Sequence, residues 1–171
     1  MPVRHRSSAI GRAKRKPRSC GSDNAEGVRK KRGKSMKIGN HSFTIPGKTY
    51  IMGILNVTPD SFSDGGKYQS VDLALKQAER MIDEGAAILD IGGESTRPGH
   101  EKITEEEEIE RVVPVIEAVK KNFDIAVSLD TYKYEVSKAG IAAGADMIND
   151  IWGLKWDDRL APLLAKEDMA C

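Results

Sequence analysis

From Met36 onward, short wholly apolar runs alternate with longer stretches whose apolar residues recur at helical spacing. The run Tyr50-Ile51-Met52-Gly53-Ile54-Leu55 is apolar on both faces, as a strand covered on both sides of a parallel sheet must be. A polar, Gly-rich stretch follows, and then Val71, Ala74, Leu75, Ala78, Met81 and Ile82 mark one helix face that Gly85 stops. The cycle repeats. Ala86 to Ile91 predicts a strand, and Thr104 with Glu107 forms a capping box opening a helix striped by Ile109, Val112, Val113, Ile116 and Val119. Pro114 lies inside that stripe and lacks an amide donor, so a kink or a restart is expected there. A third unit runs from Ile125–Leu129 into a helix over Tyr134 to Ala143. A fourth runs from Asp146–Ile148 into a helix near Asp158 to Lys166, and Met169 to Cys171 is where a fifth strand would begin. Before the first unit, Ile38 to Ile45 and Thr49 to Asn56 are expected to form a hairpin around a Pro46-Gly47 turn.

Alternating strands and amphipathic helices are the signature of βαβ units on a parallel sheet. Two architectures share it. A doubly wound sheet is complete at this length, whereas a closed eight-unit barrel needs ~250 residues. Either places its ligand site at the carboxyl ends of the strands, and the polar residues gather there: Asn56 and Asp60, Glu94 to Arg97, Asp130, then Asn149 and Asp150.

Composition divides the chain at Met36. Residues 1–35 hold twelve Lys and Arg against two acids, and the remainder fifteen against twenty-four, although the whole carries a formal net charge of only +1. With few large apolar side chains, residues 1–35 form a basic tail expected to be disordered, and 36–171 the folded domain. The runs Lys14–Lys16 and Arg29–Arg32 suit nucleic-acid contact or targeting; equally, they suit a solvated extension or sequence ahead of a true start at Met36. No apolar run reaches the ~20 residues of a membrane span, and no signal peptide is evident. Cys20 and Cys171 offer neither a disulfide framework nor a zinc site, so a reducing cytoplasmic setting is expected.

Each rim residue has a plain structural alternative. Asp130 closes an apolar strand and must meet donors, either a ligand's or the amides of the next helix. Asn149 can read a heterocycle edge or close a turn. Arg97, on a loop of hydroxyls and glycine, suits phosphate oxygens or solvent. Asn56, Asp60 and Asp64 make an oxygen-rich loop fit for Mg²⁺, which takes few protein ligands besides substrate phosphates. There is no GxGxxG, Walker or HExxH motif and no Ser/His/Asp grouping, so nucleophilic catalysis is not expected.

The stretch Ile51-Met52-Gly53-Ile54-Leu55-Asn56-Val57-Thr58-Pro59-Asp60-Ser61-Phe62-Ser63-Asp64-Gly65-Gly66 resembles the first signature of the dihydropteroate synthases, the folate-pathway enzymes blocked by sulfonamides. Asp90-Ile91-Gly92-Gly93-Glu94-Ser95-Thr96-Arg97-Pro98-Gly99 resembles their second, and Asp130-Thr131-Tyr132-Lys133 and Ile148-Asn149-Asp150 two more in the same order. The resemblance implies a (β/α)₈ barrel of the TIM type, homodimeric in the full-length family. That barrel joins 6-hydroxymethyl-7,8-dihydropterin diphosphate to p-aminobenzoate with Mg²⁺ assistance.

Carried over position by position, Asp130 and Asn149 would hold the pterin's amino-pyrimidine edge, with Ile151 against the ring. Arg97 and Asn56 would engage the diphosphate, Asn56 also the metal. Phe62, Thr96 and Pro98 would shape the aminobenzoate pocket. Asn56, Arg97 and Asp130 are thus the catalytic candidates. The family's later signatures would lie beyond Cys171, so the chain resembles about four βα units with a leading hairpin. Such a chain is expected to be unstable or to associate edge to edge, and not to perform the reaction alone. Two other functions fit: a methyltetrahydrofolate-dependent methyltransferase, whose loops match less well, and a non-enzymatic fragment whose basic tail binds nucleic acid.

Overall fold

The computed structural model of the chain describes residues 34–45, 47–58, 67–95 and 102–171. Residues 1–33, which hold nearly all of the basic segment, lie outside the described residues, as do Phe62, Thr96, Arg97 and Pro98.

Two strands, β1 (Lys34–Ile38) and β2 (His41–Ile45), form an antiparallel hairpin. Its turn is Gly39-Asn40, so the hairpin expected around Pro46-Gly47 is corrected: Thr49 to Asn56 does not pair with β2. Gly39 has φ +55°, and a Cβ there would lie 2.1 Å from Asp146 Oδ1, so glycine is required by both backbone and neighbour. The first strand begins at Lys34, two residues before Met36.

Four strands make the parallel sheet: β3 (Ile51–Asn56), β4 (Ala86–Gly92), β5 (Ala126–Asp130) and β6 (Met147–Asn149). They are joined through α1 (Lys67–Asp83), α2 (Glu105–Asn122) and α3 (Tyr134–Ala142), and α4 (Leu160–Lys166) follows. Strand order is β3-β4-β5-β6, advancing in one direction without reversal. A doubly wound sheet reverses at its switch point, and a barrel does not. The arrangement therefore matches an arc of a barrel; closure is not seen among the described residues. Ala170 makes a parallel bridge to Met147, where a further strand was expected.

Alternation decides what each face of the sheet meets. Leu55, Leu89, Ile91, Val127, Leu129 and Ile148 pack on the helices, chiefly on Ala74, Ala78, Val112, Ile116, Val119 and Val136. α2 runs uninterrupted through Pro114, against the restart expected there. Its buried side, Val112, Val115, Ile116 and Val119, packs on the sheet to either side of the proline, and that packing outweighs one missing amide donor. Thr104 caps α2 as expected, its Oγ1 accepting from the Glu107 amide at 3.2 Å, while the Glu107 carboxylate pairs with Arg111. On the helix-free face, Ile88 and Ala126, near the amino ends of β4 and β5, pack with Ile38 and Phe43 of the hairpin. The hairpin thus covers the amino end of the sheet, and the carboxyl end is left to the polar residues.

Candidate functional site

Register brings the polar residues together. Asn56, Gly92, Asp130 and Asn149 are successive partners across β3, β4, β5 and β6, one row at the carboxyl ends of the strands. They lie on the helix-free face, because the alternate positions Leu55, Ile91, Leu129 and Ile148 face the helices. Gly92 keeps the middle of the row open. A Cβ there would stand 3.6 Å from both Asn56 Oδ1 and Asp130 Oδ2, in the space a ligand would enter. Of the residues expected at the site, the structure thus unites Asn56, Asp130 and Asn149. Ile151 follows two residues later and is 63% exposed, free to cover a bound ring. Phe62, Thr96, Arg97 and Pro98 lie outside the described residues, as do Asp60 and Asp64.

The plain alternative for Asp130, a helix cap, does not hold. Lys133 precedes α3 without a side-chain cap, and the Asp130 carboxylate accepts from no described residue. Burial, followed by the charges of Asp90, Glu108 and Asp150, pushes its carboxyl up to about 6. A carboxylate that no described donor reaches is poised to take donors from a ligand. Asp150, by contrast, closes the next loop, accepting from the amides of Trp152 at 2.8 Å and Leu154 at 2.7 Å. Asn149 does not simply close a turn: its Nδ2 donates to Asp90 Oδ2 at 3.0 Å.

Beside the row lies a buried ionic cluster that residue patterning did not single out. Lys133 Nζ donates to Glu94 Oε2 at 2.6 Å, Glu108 Oε2 at 2.7 Å and the Ile103 carbonyl at 2.8 Å. Glu94 also accepts from Tyr132 Oη at 3.0 Å and from the Ile103 amide at 3.3 Å. Burial opposes the Lys133 charge, but its bonds to the two carboxylates outweigh that and hold it above the usual lysine range. Burial pushes Glu108 up. Burial and the Glu94 bond push the Tyr132 phenol up. The cluster ties the loop after β5, which carries Asp130 at its base, to both Glu94 and Ile103. Its sequence signal was present but faint: Glu108 falls among the buried positions of an acidic first helical turn, where four consecutive glutamates hid it.

The sequence profile described as "Pterin binding enzyme" matches residues 52–171. The dihydropteroate synthase of Clostridium beijerinckii is 60% identical over 136 residues, which cover 80% of this chain and 51% of that protein. Among solved structures, the Xanthomonas albilineans dihydropteroate synthase with 4-aminobenzoic acid superposes with TM-score 0.73 at 43% identity, covering 80% of this chain and 50% of the other. The Clostridium difficile dihydropteroate synthase in the presence of pteroic acid superposes with TM-score 0.69 at 51% identity, covering 72% and 47%. The chain spans about half the length of the curated relatives it matches. With the polar row at the strand ends and a match over most of its length, this chain belongs to the pterin binding enzyme family.

Proposed function

We propose that the chain supplies the pterin-holding half of a dihydropteroate synthase, a transferase of folate biosynthesis. The reaction condenses 6-hydroxymethyl-7,8-dihydropterin diphosphate with p-aminobenzoate, releasing pyrophosphate. The observation that carries this reading is the single register row of Asn56, Gly92, Asp130 and Asn149. The relatives' names favour the synthase over methyl transfer.

In this reading ionised Asp130 accepts from the N–H groups of the amino-pyrimidine, Asn149 meets the adjoining edge, and exposed Ile151 packs on the ring. Asn56 and Arg97 engage the diphosphate, and Phe62, Thr96 and Pro98 shape the pocket for the second substrate. The aryl amine nitrogen attacks the pterin methylene, forming the C–N bond as the C–O bond to diphosphate breaks. The amine's proton passes to solvent or to the departing pyrophosphate. Strong acid or base is not needed; positioned charge is.

The donor set suits Mg²⁺ sparingly. Asn56 Oδ1 faces the open space over Gly92, while the described residues contain no cluster of three acidic, His or Cys ligands. One amide oxygen plus substrate diphosphate is the kind of partial set that Mg²⁺ accepts. When bound, Mg²⁺ would be held by Asn56 and the diphosphate and would neutralise leaving-group charge. We also assign the protein to the cytoplasm and the full-length enzymes of its family to a homodimeric state; separately, no helix among the described residues is long and apolar enough to cross a membrane.

Titration calorimetry with the pterin diphosphate tests the reading. The chain should bind it, and Asp130→Ala should largely abolish binding with the melting profile retained. Dihydropteroate formation should require the chain extended through the remaining barrel units. Normal affinity in Asp130→Ala overturns the assignment.

A further inference from the structure

Asp90 lies on β4 one row below the site row, on the same helix-free face, with Ser128 of β5 as its register partner. It is 5% exposed. Its Oδ2 accepts from Asn149 Nδ2, reaching past the intervening strand β5. Among the described residues its Oδ1 is buried without a hydrogen-bond partner, and so is Ser128 Oγ. As a stabilising element this is poor. A buried carboxylate is tolerated when cations or several donors meet it, and among the described residues one side-chain amide does. Lys133, the buried cation nearby in the fold, is taken by Glu94 and Glu108.

What the bond does accomplish is to settle the orientation of Asn149. A half-turn of a carboxamide exchanges a donor for an acceptor with almost no change of shape. An ionised carboxylate accepts only, so it admits the nitrogen end alone. The end of Asn149 left for a ligand is therefore Oδ1. Beside it in the row stands Asp130, also an acceptor when ionised.

We propose that Asp90 is a positioning and specificity residue: by holding Asn149 Nδ2 it turns Asn149 Oδ1 outward, so that the site presents acceptors and selects a heterocycle whose facing edge carries N–H donors. This rests on the pterin reading of the site and adds to it which edge chemistry the site rejects. A 2-amino-pyrimidinone edge satisfies the row. Its 2-oxo counterpart places a carbonyl where the amino group stood, against acceptors it cannot bond. Sites built around a substrate N–H discriminate strongly against analogues lacking it.

Two measurements test this on the 171-residue chain. In the ligand-free protein, the Asn149 side-chain amide protons should exchange slowly by NMR and become fast in Asp90→Ala. Fast exchange in the wild type overturns the proposal. Calorimetry then compares 6-hydroxymethylpterin with 6-hydroxymethyllumazine, its 2-oxo counterpart. The wild type should prefer the pterin by on the order of 100-fold or more. In the isosteric Asp90→Asn, which meets either end of the Asn149 amide, the preference should fall to within about tenfold. Equal weakening of both probes, with the ratio preserved, means that Asp90 only supports packing and overturns the selectivity role. A wild type that binds neither probe instead refutes the pterin reading and the selectivity built on it. In that case amide exchange still decides by itself whether Asp90 holds Asn149.

Discussion

Lys133 Nζ stands 2.7 Å from Glu108 Oε2, a contact between the loop after β5 and the first turn of α2, with Glu94 2.6 Å away on the other side. One cation thus serves two buried carboxylates, Glu108 being only 1% exposed. Removing the cation takes the lysine charge from both, although Glu94 keeps its bonds from Tyr132 Oη and the Ile103 amide. Lys133→Met is expected to destabilise the fold by about 3–5 kcal/mol. Lys133→Met/Glu108→Met should regain part of that loss, because one orphaned charge goes with it. Urea unfolding of the three proteins checks both; a double variant no better than the single one contradicts the arrangement.

Asp130 ties ligand binding to pH. Pterin binding through ionised Asp130 should weaken by about tenfold per pH unit below about 6. Stability moves the other way. The folded carboxyl keeps its proton to about 6, whereas the unfolded chain releases it near the ordinary aspartate value of 3.8. The stability contribution is therefore full below the unfolded value and lost as pH rises through about 6. Asp130→Asn should flatten the stability profile between pH 4 and 7 while removing pterin binding. Thermal melts across that range read the first effect and calorimetry the second.

Gly92 separates folding from binding. A Cβ there meets Asp130 Cβ at 3.5 Å, an ordinary contact, so Gly92→Ala should fold with stability within about 1 kcal/mol of wild type. The added methyl nevertheless occupies the mouth of the row. Pterin affinity should fall at least tenfold, and an unchanged dissociation constant would remove the row from the site.

Arg97→Lys keeps charge and loses the planar fork that grips phosphate oxygens in pairs. Affinity for the pterin diphosphate should drop towards that of 6-hydroxymethylpterin, whose own binding should stay the same. Competition binding with both ligands distinguishes the two effects.

The outer side of β3 has no partner strand among the described residues, and Ile51, Met52, Ile54 and Leu73 are exposed there. A cavity of about 530 Å³ flanks this edge, lined by Ile54 and Leu73 with Lys76 and Arg80. An apolar strand edge of this kind invites pairing. The 171-residue chain should associate in a concentration-dependent manner, and Ile54→Lys should reduce this. Light scattering provides the measurement; a monodisperse monomer at high concentration would count against it.

Much of the sheet was legible because strands covered on both faces are continuously apolar, as in Ala86–Ile91 and Ile125–Leu129, and the helices between them carry clear stripes. Asn56, Asp130 and Asn149 stood out as polar endings of such runs. The hairpin was misplaced because β1 and β2 bury only Ile38 and Phe43, too few to show alternation, while Pro46-Gly47 offers a stronger turn signal than Gly39-Asn40. Pro114 does not restart α2, because local propensity says nothing of the packing that continues on either side of it. The Asp90 contact with Asn149 joins positions 59 residues apart, and no local pattern announces such a pair.

The alternation of β5 imposes an arithmetic on its own variation. Ser128 and Asp130 look into the cleft and Val127 and Leu129 into the helices. Deleting or inserting one residue upstream in the strand would exchange these sets, sending a carboxylate into hydrocarbon and leucine into the cleft. Changes of length in this strand are compatible with its chemistry only in twos, whereas the turns preceding it can absorb single residues.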